Sequence, residues 1–228
     1  RAKDFANEQG YPLLVVNSNI MSIQKIKFKS VHTQRNCAVV LALQKLFSVY
    51  YYASGLKLND FKIDDKDTAY YDVFTLNMLS TDNVVFYSGG LSYSRLQKTK
   101  LLTEYQPSYR YLNVCWREDN NCGICPKCVR TQVTLDFLGK LDIYKEVFNL
   151  KKYRVHRHYN IAQIIYHSKN NVMFKDIKEY GDKNGIEYSK IIVTAHIIKF
   201  YLVNLVKRAV PQVIKTHLKK KLKQLRNR

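Results

Sequence analysis

The sequence predicts an α/β fold, in which helices flank a mainly parallel sheet and a basic helical region follows. Short apolar segments, rich in β-branched and aromatic residues, alternate with helix-like segments over residues 1–140. Hydrophobic residues make up 46% of the 228 residues, so the chain can bury a core without disulfide staples and is not wholly disordered. The residues after 150 show no strand pattern.

The first part of the chain supplies two helices and two strands. Residues 1–10 end at a glycine, as helices often do. The continuous apolar run 12–17 is typical of a strand that is buried on both faces. The apolar stretch 37–52 begins rich in alanine and leucine, which favours a helix, and then becomes aromatic, which favours a strand over 48–53. Residues 59–72 are polar and lack periodicity, so we expect a loop there.

The next segments continue the alternation of helices and strands. They are a helix over 75–79, a strand over 83–87 with a Ser-Gly-Gly turn, a helix over 94–104, a short strand over 111–114 and a helix over 132–139. Such an order needs crossover connections, which are typical of parallel sheets. We expect a domain boundary near residue 150, with a partial α/β domain over 1–150 and a basic helical region over 151–228.

Positive charge is concentrated in the C-terminal region. The chain has a formal net charge of +20, and residues 151–228 contain 19 basic but only four acidic residues. Such a surface attracts the phosphates of nucleic acid, acidic lipid or nucleotides, although a solvated basic surface has the same composition. No signal peptide and no run of 18 uncharged apolar residues is visible, so we expect a cytoplasmic protein, peripheral at the membrane if it binds lipid.

Residues 191–228 carry helix-spaced apolar residues in a basic background. Pro211 divides this stretch, which predicts two helices. The second has an apolar stripe formed by Leu218, Leu222 and Leu225. A basic amphipathic helix can contact nucleic acid or an anionic membrane, and it can equally pack on its own domain with a solvated basic face.

Four of the five cysteines lie close together in the sequence, with the spacing C-x6-C-x2-C-x2-C. They are Cys115, Cys122, Cys125 and Cys128. This spacing predicts a tetrahedral, four-thiolate zinc site, and a closed site of this kind is structural rather than catalytic. A redox pair, an iron–sulfur cluster and an unmetallated cluster are the alternatives. Cys37 lies in an apolar run and is expected to be an ordinary core residue.

The order of motifs up to this cluster resembles a known enzyme superfamily. A helix that begins with Arg95 and Lys98 precedes the segment Val114-Cys115-Trp116, and the pattern Asn-Cys-Gly-x-Cys-x-Lys-Cys-x-Arg follows over 121–130. This arrangement resembles the C-terminal half of the PP-loop ATP pyrophosphatase superfamily, and its zinc segment is similar to that of the 7-cyano-7-deazaguanine synthase family. The resemblance covers roughly residues 1–140.

The resemblance implies a fold of the adenine nucleotide alpha-hydrolase type and an ATP-dependent, amide- or nitrile-forming C–N ligase. ATP and Mg²⁺ would be its cofactors beside structural Zn²⁺, and a small molecule would be adenylated. The positions that correspond to nucleotide or substrate contacts in the family are Ser54, Gly55, Asp72, Arg95, Lys98 and Arg130. No residue is identified as catalytic. Each position also has an ordinary structural role open to it, as a turn, a helix cap or a solvated helix face.

The chain departs from the superfamily at the phosphate-binding loop. The family's loop is Ser-Gly-Gly-x-Asp-Ser after the first strand, whereas the sequence here is Ser88-Gly89-Gly90-Leu91-Ser92. It lacks the aspartate and lies late in the chain, so we expect the true loop to lie upstream of Arg1 in an N-terminally truncated enzyme. The alternative is a non-catalytic, zinc-stapled basic module that binds nucleic acid or an anionic membrane.

Overall fold

The computed structural model describes residues 1–23 and 25–209, and in these ranges the chain is mostly helical with one two-stranded parallel sheet. The regular elements are α1 (Ala2–Glu8), α2 (Ile20–Ile23), α3 (His32–Ala42), β1 (Val49–Ala53), α4 (Asp72–Leu79), β2 (Val85–Gly89), α5 (Arg95–Leu102), α6 (Ser108–Tyr111), α7 (Pro126–Phe137), α8 (Leu150–His167), α9 (Val172–Lys183) and α10 (Lys190–Ala209). Single 3-10 turns occupy Phe28–Ser30, Leu58–Asp60, Thr68–Tyr70 and Leu141–Tyr144.

β1, α4 and β2 form a crossover unit that aligns the carboxyl ends of the two strands. Val49 pairs with Val85 at one end of the ladder, and Ala53 pairs with Gly89 at the other. The inner face of this sheet packs against α3 and α4 in a small core, to which Phe86 contributes. Its outer face is exposed, because Tyr51 and its stacked cross-strand neighbour Tyr87 both face solvent. The inner face thus anchors the sheet, and its carboxyl edge carries the loops discussed below.

Several of the predicted elements are confirmed. The strands expected over 48–53 and 83–87 are β1 and β2, and they are parallel. The helices expected over 75–79 and 94–104 correspond to α4 and α5, and the helix expected over 132–139 is α7, which begins earlier, at Pro126, and ends at Phe137. These segments combine a local hydrophobic period with caps or glycine ends, so short-range chemistry is sufficient to define them.

Two predicted strands are wrong, and the sheet is correspondingly smaller than expected. Residues 12–17 are irregular and exposed, with Val15 at 71%. A strand needs a ladder partner, and no described segment pairs with this run. Residues 111–114 are also not a strand, because Tyr111 ends α6. In addition, the side-chain amide of Asn121 donates to the Leu112 carbonyl and accepts the Val114 N–H. A ladder would need those same two backbone groups.

A larger core is built by α5 and α7–α10. Its fully buried members include Val133 on α7, Tyr144 before α8, Ile161 on α8 and Ile177 on α9. Side chains from both sides of residue 150 therefore share one core, and the boundary expected there stays a prediction. The region from 151 to 209 is helical as predicted, while Pro211 and the stripe after it lie outside the described residues. None of the described helices is both long enough and apolar enough to cross a membrane.

Candidate functional site

The four clustered cysteines converge on one point between α6 and α7. Their Sγ atoms all lie within 4.8 Å of one another. Cys115 and Cys125 have their sulfurs 4.0 Å apart, and the sulfurs of Cys122 and Cys128 are also 4.0 Å apart. Zinc at about 2.3 Å from each of four sulfurs in a tetrahedron requires sulfur separations of about 3.8 Å. The cluster therefore suits a metal ion such as zinc.

The backbone around α7 positions two of these sulfurs. Cys125 is the N-cap of the helix and Pro126 is its first residue, a pairing that fixes where the helix starts. The Cys128 N–H points at Cys125 Sγ at 3.5 Å, and the Cys125 N–H points at Cys122 Sγ at 3.3 Å. Gly123 has φ +75°, which lets the chain turn back between the two sulfurs. Such N–H donors stabilise thiolates in metal sites.

Asn121 holds the first ligand against the rest of the cluster. Its side-chain oxygen accepts the N–H groups of Val114 at 2.9 Å and Cys115 at 3.3 Å. Its side-chain nitrogen donates to the carbonyls of Leu112 at 2.9 Å and Val147 at 3.1 Å. One amide thus fastens the segment that carries Cys115 both to the cysteine loop and to the chain before α8. Sequence reasoning missed this role, although the residue directly precedes a predicted ligand.

The thiols of the cluster differ in acidity. Burial raises the pKa of Cys115, but backbone N–H donors, including that of Arg117, outweigh it and lower the pKa to about 6. Burial raises the pKa of Cys128. A metal ion binds cysteine as thiolate, so binding at neutral pH would release at least the Cys128 proton. Cys37 lies in the small core, away from this cluster, and burial raises its pKa to about 11.

A second group of polar side chains lies at the carboxyl ends of β1 and β2. Ser54 follows β1 directly, and its N–H donates to the Gly89 carbonyl at 3.0 Å, which continues the ladder. The Lys98 ammonium donates to the Ser54 hydroxyl at 2.5 Å and to the Ser54 carbonyl at 3.0 Å. The Arg95 guanidinium donates to the Gly55 carbonyl at 3.2 Å. Residues predicted from the resemblance therefore meet at one edge of the sheet.

The N-terminal cap of α5 explains why two cations of this helix lie at the edge of the sheet. Ser94 and Gln97 form a capping box, which fixes the first turn of the helix. Arg95 and Lys98 are three residues apart and so share one face of that turn. We call the half-buried residues Lys98, Arg95 and Arg130 the cation cluster. Arg130 joins it from α7, only two residues after the ligand Cys128, and contacts the Met173 sulfur.

Within the cation cluster, the charge of Arg95 acts on the other two members. Burial lowers the pKa of all three members. The charge of Arg95 lowers the pKa of Lys98 and of Arg130 further, so Arg95 is close to both. In the described residues none of the three forms a salt bridge, and the buried Nε atoms of Arg95 and Arg130 have no hydrogen-bond partner. Half-buried cations that form no salt bridge can accept an anion as a partner.

Asp72 is the carboxylate nearest to this group. It is 3% exposed at the start of α4, where the nearby backbone N–H groups of Val73 and Gly55 act to lower its pKa. Burial raises its pKa, and the charges of Lys98 and His32 offset that effect only in part. Its Oδ2 atom is buried without a partner. Asp72 therefore leaves one oxygen free to accept a hydrogen bond.

The Ser-Gly-Gly sequence ends β2 and begins the loop that leads to α5. Ser88 and Gly89 are the last residues of β2, and Ser88 Oγ is buried without a partner. Gly90 has φ +77°, and a Cβ there would lie 3.1 Å from Lys98 Cε and 3.9 Å from Ser54 Oγ. The backbone thus approaches the lysine closely because this residue is a glycine. Sequence reasoning noted the motif but missed its packing on Lys98.

Comparison of the chain with protein-family models, with curated proteins and with solved structures found no match.

Proposed function

We propose that the chain forms the nucleotide-binding part of a zinc-stapled, ATP-dependent adenylating enzyme of the PP-loop type. The observation that carries the proposal is the cation cluster, whose members form no salt bridge among the described residues. It adjoins the carboxyl ends of two parallel strands, where open α/β sheets bind their ligands. A polyanion with several oxygens, such as the phosphates of ATP, satisfies the free donors and the charge together.

The reaction class comes from the resemblance to the PP-loop superfamily. A carboxylate oxygen of the substrate attacks the α-phosphorus of ATP, the bond to the β-phosphate breaks, and pyrophosphate leaves. A nitrogen nucleophile then displaces AMP. Lys98 and Arg95 neutralise phosphate charge in this scheme, and the Ser54–Gly55 turn approaches the nucleotide. Mg²⁺ bound to ATP would supply further charge neutralisation, and the adenine nucleotide alpha-hydrolase fold is part of the same proposal.

The metal has a structural role in this proposal. Four cysteine ligands leave zinc no open position for a substrate. Arg130 follows Cys128 by two residues on α7, so ordering of the cluster also orders one of the three cations. The zinc segment therefore stabilises the position of Arg130 in the anion site. It also stabilises the turn between α6 and α7.

Calorimetric titration of the purified chain with ATP, AMP and pyrophosphate tests the proposal. We expect pyrophosphate or ATP to bind, and Lys98→Met to weaken that binding at least about tenfold, since a charged hydrogen bond contributes about 1.5–3 kcal/mol. Lys100→Met is the matched control, because Lys100 lies exposed on the same helix. Equal losses in the two variants, or no binding by the original chain, would count against the anion site.

The competing hypothesis is the non-catalytic, zinc-stapled basic module. It predicts that duplex DNA binds with a steep salt dependence and that Lys98→Met leaves this binding unchanged. The same titrations, repeated with a short DNA duplex at two salt concentrations, separate the two hypotheses. The small-molecule substrate that would be adenylated is part of the enzyme hypothesis alone.

A further inference from the structure

Helix α10 is attached to the larger core along one side only. Val193 is buried, and Ile197 and Phe200 pack against the core. The Phe200 ring lies 5.3 Å from the ring of Tyr159 on α8, edge to face. Beyond this point, all residues from 201 to 209 are exposed. The second half of the helix therefore presents most of its surface outward.

The packed side nevertheless continues into that second half. The Tyr201 ring lies 5.0 Å from the Tyr166 ring, and the Lys169 ammonium donates to the Tyr201 hydroxyl at 3.0 Å. Asn204 also donates to the Tyr166 hydroxyl. These contacts hold α10 along α8, so its outward side has a defined direction.

The outward side of α10 carries a continuous apolar stripe. It consists of Ile191, Ala195, Ile198, Leu202, Leu205 and Ala209. Steps of four and three residues alternate along this series, which keeps all six on one side of a helix. The stripe lies opposite the packed residues Val193, Ile197 and Phe200. Ile191 is 85% exposed, Leu202 57% and Leu205 60%. Large side chains exposed in a row, rather than singly, mark a contact surface.

Only positive charges accompany this stripe. α10 contains four basic residues and no acidic residue. At 100° per residue, Lys199 lies beside the stripe on one side, whereas Lys190 and Arg208 lie on the other. Long basic side chains in such flanking positions can reach past an apolar surface to anionic groups at its level.

We propose that α10 docks on an anionic membrane surface, with its apolar stripe among the lipid headgroups and with Lys190, Lys199 and Arg208 on the lipid phosphates. An anionic bilayer interface matches both the stripe and its charge. A second copy of the chain would set like charges against each other across the contact. Nucleic acid would satisfy the basic residues but leave the stripe in water. The helix lies in the plane of the interface and does not cross it.

Co-sedimentation of the full chain with lipid vesicles tests this proposal. One set of vesicles is pure phosphatidylcholine, and the other contains about 30% phosphatidylserine. We expect binding to the second set only, and a loss of at least about tenfold in Leu202→Asp/Leu205→Asp. The matched control is Tyr51→Asp/Ile63→Asp, which replaces two exposed apolar residues outside α10 and changes the net charge equally. This control should keep the original binding.

Penetration into the interface is measured separately with Leu202→Trp. We expect its fluorescence to shift to shorter wavelength with the anionic vesicles, and Trp116→Phe in the same chain removes the native tryptophan signal. Equal vesicle binding by both Asp double variants would mean that charge alone binds lipid, and it would overturn the proposal. A dimer in solution that Leu202→Asp/Leu205→Asp makes monomeric would also overturn it, because a second copy would then cover the stripe. Binding to a DNA duplex that depends on the stripe would overturn it as well.

Discussion

The Lys98 ammonium lies 3.0 Å from the carbonyl oxygen of Ser54, so a cation from α5 contacts the residue that follows the carboxyl end of β1. The Ser54 N–H meanwhile bonds the Gly89 carbonyl, which joins the end of β1 to the end of β2. Lys98 therefore contacts the turn after β1 directly and is linked through Ser54 to the end of β2. Burial and the nearby charge of Arg95 lower the pKa of Lys98, so this position is costly for an ammonium group.

Gly90→Ala tests how closely the backbone must approach Lys98. Alanine at φ +77° is strained, and its Cβ would lie 3.1 Å from Lys98 Cε. We expect a loss of about 1–2 kcal/mol in the free energy of unfolding and a weaker titration with pyrophosphate. Gly139→Ala is the control, because Gly139 has φ +66° but nothing within 4 Å of the added Cβ. It should lose similar stability and keep anion binding; a similar loss of anion binding in both variants would refute the role of Gly90.

Asp72→Asn should raise stability at pH 7, and the advantage should shrink on acidification. Burial raises the pKa of Asp72 in the folded chain above its value in the unfolded chain. As the pH falls through the folded pKa, the folded state binds its proton first, so the original chain gains stability relative to the variant. Urea unfolding at several pH values from 7 to about 4 measures the difference. Asp65→Asn, which removes an exposed carboxylate, should show no such trend.

Sequence patterns predicted the two strands, most helices and the metal cluster because each depends on nearby residues. The cysteine ligands lie within one short segment, so their spacing alone indicates a tetrahedral site. The resemblance also selected Ser54, Gly55, Asp72, Arg95 and Lys98, which the structure brings to one edge of the sheet. Their binding roles stay predictions.

The errors concern features that depend on distant parts of the chain. The apolar run 12–17 has strand composition, but a strand also needs a partner, and composition does not reveal one. Whether a carboxylate pairs with Arg95 or Arg130 depends on which residues fold near them, and no local pattern carries that information. Asn121 could have been suspected from its place among the cysteines, but its four backbone partners span Leu112 to Val147.

Asn121→Ala should loosen the metal centre without removing a ligand. The change removes the acceptor of the Val114 N–H and the donor to the Leu112 and Val147 carbonyls, and it leaves the Cys115 N–H with Asn113 Oδ1 as its acceptor. We expect zinc affinity to fall about 10- to 100-fold, as for other residues that orient metal ligands. Competition with a chromogenic chelator measures the affinity. Asn120→Ala changes the exposed neighbour and should leave it unaltered; equal affinity in the two variants would show that the Asn121 hydrogen bonds do not support the site.

Cys125→Ala should abolish stoichiometric zinc binding and unfold the segment around the start of α7. Cys125 supplies one of four sulfurs and is also the N-cap of that helix, so the change removes a ligand and a cap together. Atomic emission should find about one zinc per original chain and far less in the variant, and circular dichroism should show lost helix. Cys37→Ala is the control: its thiol is buried in the small core with its pKa raised to about 11, so zinc should stay bound. A folded original chain that contains no zinc, or contains iron with sulfide instead, would contradict the zinc assignment.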